Sequence, residues 1–421
     1  MSTPSIQHPK SAATIFLDQP PSCLQFCPAA PNHFIIGTYL LSENKDDDGT
    51  VHQTKTGSLQ LWTIDPVKNE LSLLQREPLP YAVFDLHFHP RDPSILAIAT
   101  SAASVALFRL SPDPQFTLTH LWTLPVHEDP SIPALFLAWA PAKWFQRDHQ
   151  DGFAVTFSDG RTSVFGTRPA LTANQADLSE QSNVTDLGAF EATQQIEVWF
   201  VALASLSDPS AGSKNASLPY MFTGNDFGSL HTRQFGNGEA SAEEDQELLP
   251  SLLLDYDDRA RHHTAGVTSI LPLPLPLSEG APLLLTGSYD EYLRVYHATR
   301  RGQVLAEVCL GGGVWRLQML KTEQAVSPEG AEEWRFLVLA SCMHAGTRVV
   351  RVTCQPTGAD ADSSWNIDVL AQFTEHESMN YASDVWKADG GYDLEGRDIS
   401  ELVCVSSSFY DRRVCIWKVD L

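Results

Sequence analysis

His344 is the residue whose type and place first suggest chemistry. It stands in ASCMHAGTRVV, six positions before Val350, where comparable turns carry aspartate: Asp290 before Tyr296, Asp411 before Trp417, Asp226 before Thr232 and Asp159 before Phe165. An imidazole titrates near neutrality and can take up or release a proton there. An aspartate in such a turn caps nearby backbone N–H groups, so Asp290 and Asp411 have a structural reading beside any chemical one. Gly311-Gly312-Gly313 reads as a change of direction more than a phosphate cradle, because no helix N-terminus follows it. Trp315 and Trp386 offer aromatic faces or ordinary packing, and His262 and His263 carry little signal. The sequence contains no GxSxG elbow, no HExxH and no Walker loop.

Scattered groups of this kind need a framework that gathers them. In the stretch Leu283 to Leu320, two short runs flank Tyr289-Asp290-Glu291, a third runs from Val304 to Leu310, and a fourth begins at Val314 beyond the glycines. Four short strands joined by tight turns look like one blade of a WD-repeat propeller. The spacing recurs, with Ala102 before Phe108 as a further example, and successive turns lie roughly 54 to 67 residues apart. The expectation is an all-β, seven-bladed WD-repeat β-propeller occupying residues 1–421 as one domain, with loop insertions near 42–56, 168–190 and 236–250. Ser11 to Asp18 has strand character but no neighbour in sequence to pair with. The blade ending near Trp417 lacks a fourth strand, so the N-terminal strand is expected to complete it.

Composition narrows the partners. A net charge of −24 over 421 residues argues against direct nucleic-acid binding and favours a cationic partner. Cys309, Cys342, Cys404 and Cys415 fall in apolar runs, as free thiols do in a reducing compartment. With no signal-like N-terminus and no apolar run of membrane-spanning length, a cytoplasmic monomer away from membranes is expected.

In a WD-type blade, the turn between the second and third strands and the segment leading into the next innermost strand share one face. Asp290, His344 and Asp411 lie on the first kind of turn; Gly311 to Trp315 and His376 to Trp386 lie on the second. The last three blades are therefore expected to present their unusual residues at one rim.

AGVTSI at 265–270, TGSYDEYLRVY at 286–296, GGGVWRL at 311–317, SCMHAG at 341–346, the segment His376 to Trp386 and SFYD at 408–411, in this order, resemble the diphthine methyltransferase family of WD-repeat proteins. The resemblance covers blades five to seven, and the first 200 residues only through the propeller pattern. Despite the name, it implies a methylesterase that hydrolyses the methyl ester of methylated diphthine on translation elongation factor 2. The products would be diphthine and methanol, in the biosynthesis of diphthamide, with no cofactor and no metal.

For that chemistry the residues suggest His344 as general base on a water or on a hydroxyl such as Ser408, with Asp411 or Asp384 orienting the imidazole. Arg316, or the N–H groups of Gly312 and Gly313, would face the oxyanion. Tyr289, Trp315, Tyr381, Trp386 and Tyr410 could face the substrate's trimethylammonium group, with Asp290 and His376 beside them. The competing reading is a non-catalytic scaffold that docks a protein on the same rim.

Overall fold

A computed structural model describes residues 5–46, 49, 51–112, 115–145, 150–167, 178–208, 217–236, 249–326, 332–355 and 364–421. The chain is all-β, with seven blades arranged as a β-propeller. Each blade is an antiparallel sheet, built in five of the seven from four consecutive strands. In blade six these are Arg316–Val326, Glu332–Ser341, Thr347–Gln355 and Ser364–Phe373. Among the described residues no helix is long and apolar enough to cross a membrane.

The six-residue spacing has a physical basis. Tyr296, Trp417, Thr232, Phe165, Val350 and Phe108 are all buried, each lying within the strand that leaves a hairpin. The residue after the turn residue is left-handed in four of these turns, at Ala103, Gly160, Glu291 and Arg412, with φ of 52°, 100°, 74° and 56°. Asp159 and Asp290 accept the N–H two positions on, from Arg161 and Tyr292, at 3.2 Å each. That bond stabilises the reversal.

By packing density the chain divides into two units. One comprises Met1–Val83, Tyr289–Val295 and Leu305–Leu421; the other comprises Phe84–Ser288 and Tyr296–Val304. In the first, the N-terminal strand Ser11–Phe16 pairs antiparallel with Arg413–Asp420 and completes the blade of Ala382–Val385 and Glu401–Ser408. Its apolar core runs from Leu17, Phe26 and Phe34 to Val405 and Ile416, and from Leu320 and Val349 to Phe373 and Trp417. In the second, Trp144 packs among Phe145, Phe235 and Tyr220, and its indole N–H donates to the Tyr220 carbonyl at 2.8 Å.

Two stretches expected as loops contain strands. Leu40–Lys45 pairs with the start of Val51–Asp65, so the described part of that insertion is a two-stranded ribbon. Val184–Glu191 is the fourth strand of blade three; its mostly half-exposed residues follow from its place on the outer side of the sheet, which tolerates polar side chains. Residues 168–177 and the acidic stretch 237–248 lie outside the described residues. Cys309 also departs from expectation, being exposed on an outer strand, while Cys342, Cys404 and Cys415 are buried.

Candidate functional site

The site is built in the first unit from segments that enter or turn between strands. Gly311 is left-handed at φ 84°, which suits glycine. Gly312 is needed for a different reason: a Cβ there would lie 2.4 Å from the Cys342 carbonyl oxygen. This approach lays the glycine segment against the turn that carries His344. Trp315 N–H donates to the Ser341 carbonyl at 2.8 Å and Asn380 N–H to the Met343 carbonyl at 2.9 Å. The turn is thereby held between the segments leading into blades six and seven.

Aromatic side chains follow one another along this junction. Tyr289 and Trp315 have ring centroids 5.8 Å apart, Trp315 and Tyr381 5.1 Å, and Tyr381 and Phe409 5.5 Å. Tyr39 continues the row at 6.1 Å from Phe409. The Arg316 guanidinium lies 4.5 Å from the Trp315 ring centroid and donates to the Trp315 carbonyl at 3.0 Å. Burial pushes the Tyr39 and Tyr381 hydroxyls above their ordinary pKa, with Tyr410 adding to the effect on Tyr381. Both phenols are therefore neutral near pH 7. Gly312 and Gly313 are buried, and their N–H groups donate to no described residue. Buried amides without an acceptor are uncommon, and two in sequence beside the aromatic row could stabilise a developing negative charge.

His344 is exposed on its turn, and its ring has no hydrogen-bond partner among the described residues. The structure brings neither expected carboxylate to it. Asp384 is buried and accepts from Phe26 N–H at 2.7 Å, Gln318 Nε2 at 2.8 Å, Val385 N–H at 2.7 Å and Lys387 Nζ at 2.9 Å. With four donors its acceptor capacity is nearly used up.

Asp411 accepts from Ser408 Oγ, from Ser378 Oγ at 2.7 Å and from Glu377 N–H at 3.3 Å. Burial raises its carboxyl, but these hydrogen bonds outweigh burial and hold it below the usual range. Ser408 is buried within this same group, bonded to Ser378 and Asp411, so the group ties the segment before blade seven to the turn at Asp411.

Other expected residues are also placed by the structure. Asp290 accepts from Arg294 Nη1 at 2.8 Å, inside its own hairpin. His376 points into the core, with Nε2 2.8 Å from Ser406 Oγ, which also accepts from the Trp417 indole at 2.9 Å. Trp386 sits at the far end of Ala382–Val385 from Tyr381, packs on the blade-one side of the core and donates to Asn32 Oδ1 at 2.9 Å. Tyr410 is 69% exposed and packs edge-on against Phe409.

Tyr39 and Phe409 were not singled out by sequence. Phe409 lies within the SFYD segment beside the more conspicuous Asp411. Tyr39 follows His33–Thr38, where the inserted ribbon replaces the short turn that the six-residue spacing detects.

No family model matches the chain. A protein of Schizosaccharomyces pombe named diphthine methyltransferase is 24% identical over 412 residues, covering 97% of each chain. One of the same name from Saccharomyces cerevisiae is 24% identical over 448 residues, covering 99% of this chain and all of that one. A third, from Mus musculus, is 24% identical over 375 residues, covering 86% of this chain and 66% of its own. The family likeness seen in the sequence segments is supported by these relatives along nearly the whole chain.

Proposed function

We propose that this chain, which belongs with the diphthine methyltransferases, hydrolyses the methyl ester of methylated diphthine on translation elongation factor 2, releasing methanol. The observation that carries the reading is the pairing of the aromatic row Tyr289, Trp315 and Tyr381 with the N–H groups of Gly312 and Gly313, which have no partner among the described residues. Methylated diphthine carries a quaternary ammonium next to an ester, so a site for it needs π faces for the cation and donors for an oxyanion a short distance away. In this reading the substrate cation meets the rings of Tyr289, Trp315 and Tyr381, with Arg316 lying over Trp315.

In this reading His344 takes a proton from the attacking water, and the oxygen of the tetrahedral intermediate is held by the Gly312 and Gly313 amides, with Arg316 adding positive charge. The imidazolium then protonates the departing methoxide. Asp384, Asp411, Ser408 and His376 support the framework. The net charge of −24 steers a cationic substrate loop toward the protein. The direct test is to incubate the protein with elongation factor 2 carrying methylated diphthine and follow the modified peptide by mass spectrometry. Loss of the mass of one methylene with release of methanol is expected; an ester that persists beside active controls would favour a docking scaffold.

A further inference from the structure

A cleft of about 1060 Å³ lies in the second unit, between the outer strand Leu252–Asp257 of blade four and the turns at 279–281 and 299–301. Arg259, Arg261, Arg300 and Arg301 line it, all exposed, and none of their guanidinium groups has a hydrogen-bond or ion-pair partner among the described residues. In a chain with 52 acidic and 28 basic residues this is unusual. Elsewhere Arg91, Arg161, Arg233 and Arg294 are each paired with a carboxylate.

The carboxylates that also line the cleft are in part committed. Asp255 faces His231 and Arg233, and Asp257 accepts from Thr193 Oγ1 at 2.9 Å and from Arg259 N–H at 2.6 Å. Glu279 stands on the opposite wall. The Arg259 turn is fixed, with φ of 59° and 52° at Arg259 and Ala260 and the Ala260 N–H bound to Asp258 Oδ1 at 3.1 Å.

The same cleft has an apolar wall. Leu252, Leu253 and Leu254 are 42%, 57% and 45% exposed, and the last two line the cavity. Their strand is the outermost of its sheet, ordered beyond Leu230–Phe235, so one edge has no strand beside it within that sheet. A lone phosphate would engage the arginines and leave the leucines wet. An extended chain alternating acidic and apolar side chains would satisfy both, laying carboxylates toward the guanidinium groups and apolar groups on the leucines along an open strand edge.

We infer that this cleft binds an acidic, apolar-interleaved peptide segment of a partner protein, at a place separate from the aromatic row. The test uses the full chain and a pool of fluorescein-labelled hexapeptides alternating Asp or Glu with Leu, Val or Phe, read by fluorescence anisotropy. Members of the pool should bind, more weakly as salt rises. Affinity should fall about tenfold or more in the Arg300→Glu/Arg301→Glu variant, shown to be folded by circular dichroism, and should also fall in Leu253→Ser/Leu254→Ser. Ester hydrolysis should be unchanged in both. Failure of every peptide to bind, or equal binding to the arginine variant, overturns the inference. Binding that is indifferent to the leucine changes and is displaced by inorganic tripolyphosphate also overturns it, in favour of a small-anion site.

Discussion

Asp384 and Lys387 form an ion pair of 2.9 Å with side chains only 2% and 3% exposed. The carboxylate also holds Phe26 N–H of blade one and Gln318 of blade six, so one buried charge joins strands from three blades. Lys387→Met would leave that charge without its counter-ion and should cost about 3–5 kcal/mol, read as a lower urea midpoint. Replacing both, as Asp384→Asn with Lys387→Met, should recover much of the loss. A double variant as unstable as the single one would show that the pair is not the source.

His344→Ala removes an exposed side chain with no hydrogen bond among the described residues, so the fold and melting temperature should hold. If the imidazole is the general base, turnover should drop by about two to four orders of magnitude. Near-wild-type hydrolysis in a single-turnover assay would exclude it.

Trp315 and Arg316 separate binding from chemistry. Trp315→Ala should weaken substrate binding by about 0.5–2 kcal/mol, measured as an increase in Kd or KM. Arg316→Ala should lower kcat more than it raises KM, because its charge acts on the oxyanion and not on the ground-state cation. The reverse split would place Arg316 in substrate binding.

Gly312→Ala tests the close approach to the His344 turn. With a Cβ at 2.4 Å from the Cys342 carbonyl and 2.8 Å from the Ala345 Cβ, the backbone must move, at a cost of about 1–3 kcal/mol. Activity should fall further than stability explains, as the amides shift away from the reacting ester. Activity that falls only in step with stability would argue against the amides as oxyanion donors.

His376 predicts a pH dependence of stability. Burial, with Arg413 adding to it, lowers its pKa to about 4 against the pull of the Asp411 and Glu375 carboxylates. The unfolded chain takes up this proton near pH 6.5 and the folded chain only near 4, so the unfolded state binds more protons between those values. Stability from this group is complete above pH 6.5 and declines as pH falls to about 4, by up to about 3 kcal/mol. His376→Gln should flatten that slope in urea titrations; an unaltered slope would assign the effect to another group.

The fold was legible because hairpin turns and buried residues within the next strand recur at a fixed spacing, and because Ser11–Phe16 had no local partner. The aromatic row was legible in part, since topology alone carries Tyr289, Trp315 and Tyr381 to a common place. What spacing could not show was the direction of individual side chains. Trp386 is five positions beyond Tyr381, about 16 Å along an extended strand, and so belongs to the other end of the blade. His376 turns inward because Ser406, itself bonded by the Trp417 indole, offers it a buried partner in place of solvent. Asp384 looked free to orient a base, but Lys387 lies three residues on and takes it.

The last blade also sets a timetable. Thr14 lies 401 positions from the Cys415 thiol it meets, so during synthesis the first described strand emerges long before the strand it pairs with exists. Until Arg413–Asp420 leaves the ribosome, an edge of backbone donors and acceptors stays open to wrong pairings. Nascent chains of this protein should therefore depend on protection by chaperones until Arg413–Asp420 arrives, and removing Ser11–Phe16 should impair maturation in the same way as removing Arg413–Asp420.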